Sequence, residues 1–101
     1  MSCLVVYTGG APFQVSHVFD QDVVLLGGAG SDNSRVAIST DPSFDVQSIT
    51  GVDIIVLPEL IAYFPDSHFQ VFSERVLKGQ SIFFSAEGGV AVVIYYAAQL
   101  N

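Results

Sequence analysis

Short apolar runs, cut by glycine, proline and aspartate, follow one another along this chain. The clearest are residues 81–85 (Ser-Ile-Phe-Phe-Ser) and 90–96 (Val-Ala-Val-Val-Ile-Tyr-Tyr), on either side of Glu87-Gly88-Gly89. Their β-branched and aromatic side chains suit a pleated surface better than a helix. Glycines between them can supply the positive φ of a tight hairpin, so the pair is predicted as a closing hairpin. Upstream, the same reading gives strands at residues 3–7, 13–19, 22–26, 35–40 and 52–57. Within 13–19, Phe13, Val15, His17 and Phe19 share one face. Within 35–40, Val36 and Ile38 oppose Arg35, Ala37 and Ser39. The run 22–26 is closed by Gly27-Gly28-Ala29-Gly30, read as a turn, and Asp41-Pro42 opens a polar connection running to Gly51.

Two stretches are less regular. Residues 59–66 are apolar but broken by Pro65, which predicts an extended segment or one short turn. Residues 67–78 fit either of two patterns. Phe69, Phe72 and Val76 make a helical face, with Ser67 as N-cap and Gly79 as stop. The alternative, a strand at 69–72 and then a turn, is preferred. Seven to eight short strands punctuated by glycine and proline predict an all-β fold, an antiparallel β-sandwich or small jelly roll, as one domain over residues 1–101.

The final strand carries apolar groups on both faces: Val90, Val92, Ile94 and Tyr96 on one, Ala91, Val93, Tyr95 and Ala97 on the other. A strand in a sandwich normally covers one side. The second face therefore predicts either a second layer or another subunit. Composition points the same way: half of the chain is apolar and 13% is charged, about half the usual charged share. The residues expected at an oligomer or partner interface are Phe83, Val93, Tyr95, Tyr96, Tyr63 and Phe64.

Net charge is −7, with Arg35, Arg75 and Lys78 as the three basic residues. That lacks the basic stripe nucleic-acid binding draws on. No basic start or apolar leader marks a signal peptide, and the longest apolar run, residues 90–98, is far short of a helical membrane span of ~20 residues. These features predict no nucleic-acid or membrane partner. Cys3, the single cysteine, excludes an internal disulfide and has no neighbouring cation to activate it.

Chemical motifs are sparse. The Gly27 to Ser31 loop lacks the lysine of a phosphate loop and the third glycine of a dinucleotide fingerprint. His17 and His68 have no ligand-spaced companions, so no metal is expected. Serine has no Gly-x-Ser-x-Gly elbow, and Asp20 with Asp22 reads as strand-end solvation rather than a catalytic pair. No cofactor and no catalytic residue is expected.

Two resemblances add to this. Leu77-Lys78-Gly79-Gln80, residues 81–85 and the Val/Tyr-rich strand 90–96 resemble the closing hairpin of small β-sandwich virion proteins of tailed phages. That likeness covers about a quarter of the chain. It implies a structural, non-enzymatic viral protein of the head-decoration, fibre or tail-accessory type. Such a protein forms a homo-oligomer, a trimer favoured, docked on other virion proteins; outside a virion the expected location is cytoplasmic. Residues 35–44, residues 52–58 and Ser81 to Gly88 are instead similar to strand, loop and elbow passages of the ThiJ/PfpI family of α/β proteins. Ala86 stands at that family's cysteine and Gln14 at its acidic partner, so this likeness implies a degenerate domain without its nucleophile. It predicts helix at 67–78 and 89–100 and a pocket near residues 86–88. A third reading, a carbohydrate-binding sandwich, would use Tyr63 and Phe64 as exposed aromatics.

Overall fold

The structure, a computed structural model, describes residues 1–9, 14–32, 34–44, 46 and 60–99. Eight strands follow in chain order: β1 Ser2–Gly9, β2 Gln14–Val18, β3 Val23–Gly30, β4 Val36–Ser39, β5 Leu60–Phe64, β6 Gln70–Val76, β7 Ser81–Ala86 and β8 Gly89–Ala98. They form two four-stranded sheets, ordered β1-β8-β3-β6 and β2-β7-β4-β5. Every pairing is antiparallel: β1 with β8, β2 with β7, β3 with β6 and β4 with β5, plus β3 with β8 and β4 with β7. Nested pairing of first with last, second with second-last and so on is a hairpin ribbon rolled into two sheets. This is the jelly roll.

The α/β expectation does not hold, because strands β6 and β8 occupy the stretches where it required helix. The ambiguous segment 67–78 is largely strand, longer than the 69–72 expected. Pro65 ends β5 rather than breaking it, so residues 60–64 pair with β4 as a full edge strand, where proline just past the end removes no ladder bond. The expected strand at 52–57 lies outside the described residues.

The closing hairpin is corrected. β7 and β8 are consecutive but belong to different sheets, so Glu87 and Gly88 form a corner between sheets. Neither Gly88 nor Gly89 has a positive φ; among the described residues Gly79 alone does, at 83°. Gly79 is the third residue of a turn closed by Gln80 N–H donating to the Leu77 carbonyl at 3.0 Å. Positive φ at that place is what a type II turn requires. The β7–β8 corner is held instead by side chains. Glu87 Oε1 lies 2.9 Å from Arg35 Nε, Arg35 Nη2 donates to Oε2 at 3.0 Å, and the Arg35 backbone N–H donates to Oε1 at 3.1 Å. The Arg35 guanidinium holds Glu87 below the usual carboxylate range, and Glu87, then Tyr63, raise Arg35 in return.

The core lies between the sheets. Val6, Leu25, Val92 and Ile94 from one meet Val36, Ile38, Phe64, Ile82 and Phe84 from the other. Burying such side chains is worth about 1.5–3 kcal/mol each. Val15 and His17 also face inward, opposite Phe84 and Ile82. His17 packs edge-on to Phe19, ring centroids 4.6 Å apart, and its burial lowers its pKa.

The glycine run read as a turn is strand. Leu26 is a bulge: Leu25 pairs with Tyr96, yet Gly27 pairs with the very next residue, Tyr95. The extra residue flips the facing, as bulges do, so that Leu25 points inward before it and Gly28 after it. A Cβ on Gly28 would meet the Val93 carbonyl oxygen at 2.6 Å, Ile94 Cδ1 at 2.7 Å and Phe64 Cζ at 3.2 Å. The bare backbone there lets the Phe64 ring close onto the β1-β8-β3-β6 sheet.

Candidate interaction face

Each sheet has an outer face, and the two differ. On the β2-β7-β4-β5 sheet the chain covers its own outer side. Ala37 is fully buried with Val46, and Phe44, Leu60 and Tyr63 pack around them. The Val46 N–H donates to Ser85 Oγ at 2.9 Å, and the Asp41 N–H donates to Ser39 Oγ at 3.0 Å. Asp41 in turn accepts from the Ser43 backbone N–H at 2.9 Å and from Ser43 Oγ at 2.8 Å, which lowers its pKa. Buried Ser39 and Ser85 are thus satisfied by the segment that follows β4.

The outer face of the β1-β8-β3-β6 sheet is open and apolar. The ladder places Cys3, Tyr95, Gly27 and Val71 in one row across the four strands, and Val5, Val93 and Ala29 in the next. No residue that β1, β8 and β3 turn to this side is charged; β6 adds Arg75 at one end, opposite Val24. Among the described residues seven large apolar side chains are exposed, and five of them, Met1, Val5, Tyr7, Phe69 and Val71, belong to this side. Gathered on one sheet, they form the kind of patch that marks an interaction site.

A groove of about 700 Å³ runs along the β6 side of this face, between Leu26, Phe69, Val71 and Tyr95, with Ser73 also lining it. Its wall depends on Gly27, the first glycine after the bulge. A Cβ on Gly27 would meet Phe69 Cζ at 2.7 Å, so glycine lets that ring lie over the strand. The ring then stands edge-on to Tyr95, centroids 5.6 Å apart at 67°, a geometry aromatic pairs prefer. The bulge seats one aromatic on each side of the sheet, Phe64 inside and Phe69 outside.

The six residues expected at an interface are divided among three places. Val93 and Tyr95 lie half-buried on the open face, in the centre of it. Phe83 and Tyr63 lie on the opposite, self-covered face. Phe64 is fully buried in the core, and Tyr96 packs on the core edge against Phe19, centroids 5.0 Å apart. Neighbours on a strand point to opposite sides, so Tyr63 with Phe64, and Tyr95 with Tyr96, could never share a face. Tyr7, Val5, Phe69 and Val71 were missed; the alternation of Val5 and Tyr7 in β1 is the signal that could have found the first two.

The remaining polar groups serve the scaffold. Asp22 Oδ1 accepts from the Lys78 N–H at 2.8 Å and ties the β6–β7 turn to the β2–β3 corner. The exposed His68 stacks no metal-ligand set: its N–H and Nδ1 both meet Asp66 Oδ1, at 2.9 and 3.0 Å, and lower that carboxyl's pKa. Among the described residues no three His, Cys, Asp or Glu side chains are grouped to hold a metal ion, and no helix is long and apolar enough to cross a membrane. Cys3 is exposed on the open face, on edge strand β1. Compared with known proteins, the chain matches no family model, no curated protein and no solved structure.

Proposed function

We propose that this chain is a non-enzymatic structural protein that self-associates through the outer face of its β1-β8-β3-β6 sheet and docks in a virion or similar assembly, as a capsid-decoration or tail-accessory component. The observation that carries the reading is an apolar face, uncharged across β1, β8 and β3, on a chain of net charge −7. Its mechanism is burial of that face, at roughly 25 cal/mol per Å² removed from water, less the cost of ordering the partners. Acidic side chains in the loops, such as Asp20 and Asp32, limit association elsewhere. Placement in a virion is supported by the jelly roll, which also builds viral coat domains; the likeness of residues 75–97 to a closing hairpin of phage virion proteins adds nothing, because β7 and β8 lie in different sheets. The same architecture serves lectins and cupins, so the fold alone does not choose.

Light scattering on the wild type and on the Val93→Asp/Tyr95→Asp double variant tests this. The wild type should exceed 10.8 kDa and the variant, still β by circular dichroism, should fall to that mass. A folded double variant that keeps the wild-type mass would remove the face from the account.

A further inference from the structure

We infer, building on the self-association proposed above, that the occupant of this face is the same face of a second copy, the two sheets lying against each other about a two-fold axis. Charge leaves this face as the place where a like partner can approach. Two copies that each carry −7 repel across most of their surfaces, and the outer sides of β1, β8 and β3 offer a contact with no charge on either partner.

Shape favours it too. A two-fold contact must be self-complementary, with a protrusion and its recess on one surface. Here Tyr7 stands out on edge strand β1, 75% exposed, and the groove lies across the sheet beside β6, rimmed by Val71 at 82% exposure. Between them Ala91 on β8 and Ala29 on β3 carry only methyl side chains, so a second sheet can approach closely there.

The area is sufficient. Four strands ~4.8 Å apart and about eight residues long at ~3.3 Å each give a flat footprint on the order of 500 Å² per copy. Two footprints reach the ~1,000 Å² at which specific interfaces begin. The chain would then form four β layers, with the self-covered sheets outermost.

Sedimentation equilibrium on the intact chain, with three single variants, decides the matter. Tyr7→Asp and Val71→Asp sit at opposite edges of the face, and both side chains are exposed enough to change without unfolding the monomer. Val18→Asp, on exposed edge strand β2 of the other sheet, is the control. The pairing predicts a wild-type mass of two chains, or a multiple of two. Both face variants should drop to one chain while the control stays paired. A stoichiometry of three overturns the two-fold pairing, as does an assembly broken by Tyr7→Asp and indifferent to Val71→Asp, which would be edge pairing along β1. Either result leaves self-association standing. A wild type that stays a single chain removes both.

Discussion

Three glycines in this fold should respond to alanine in three different ways, because the structure asks a different thing of each. Gly28 is a matter of space. The added methyl would sit 2.6 Å from the Val93 carbonyl oxygen and 2.7 Å from Ile94 Cδ1, and the first of these is backbone that cannot swing aside. Overpacking of this kind costs about 1–3 kcal/mol, offset by about 0.4–1 kcal/mol from a stiffer unfolded chain. Gly79 is a matter of conformation: nothing lies within 4 Å of its Cβ position, but φ is 83°, and left-handed backbone costs an L-residue about 1–2 kcal/mol. Gly30 asks for neither. Its nearest neighbour would be Val36 Cγ2 at 3.5 Å, ordinary contact, so Gly30→Ala should be neutral or gain about 0.4–1 kcal/mol. Urea denaturation at one fixed protein concentration reads all three, since association would shift the midpoint. For a domain of this size each kcal/mol moves the melting temperature by roughly 4–8 °C, so thermal melts provide a second readout. Gly28→Ala with wild-type stability, or Gly30→Ala as damaging as Gly28→Ala, would refute the claim that bare backbone at the bulge admits Phe64.

Two further outcomes are expected. Phe64→Ala should cost about 3–5 kcal/mol, the toll of a cavity in a closed core, and Phe83→Ala well under half of that by the same urea midpoints; equal losses would contradict the split between core and surface. Glu87 is held below its ordinary range by Arg35, so its contribution is full above the unfolded pKa of about 4.3 and is lost as pH falls through the lower folded value. This exposed pair is worth about 0.2–1 kcal/mol. Glu87→Gln should therefore be less stable than wild type at neutral pH and should converge on it in acid, and parallel pH profiles would contradict the clasp.

The facing of individual strands was written plainly in the sequence, and their partners were not. Alternation in residues 35–40 and 90–96 correctly divides Val36 and Ile38 from Ala37, and Val92 and Ile94 from Val93 and Tyr95. That information is local, set by the two-residue repeat of a strand. Whether β7 pairs with β8 or parts from it into another sheet depends on β1 and β3 competing for the same ladder, which no window around Glu87 contains. Gly27 and Gly28 misled for a related reason. Glycine in a short apolar context is ordinarily turn chemistry, and here it answers to Phe64 and Phe69, residues far along the chain. The open face was legible in half, through Val93 and Tyr95. Its other half needed the knowledge that β1 and β6 flank β8 and β3, and that residues after β4 cover the opposite sheet.

The most direct test of the account is the molar mass of the unmodified chain by sedimentation equilibrium over a wide concentration range. Association through this apolar face predicts a mass that rises from 10.8 kDa to a whole multiple as concentration increases, and more readily at higher salt, which screens the repulsion between chains of net charge −7. A mass fixed at one chain throughout would contradict it.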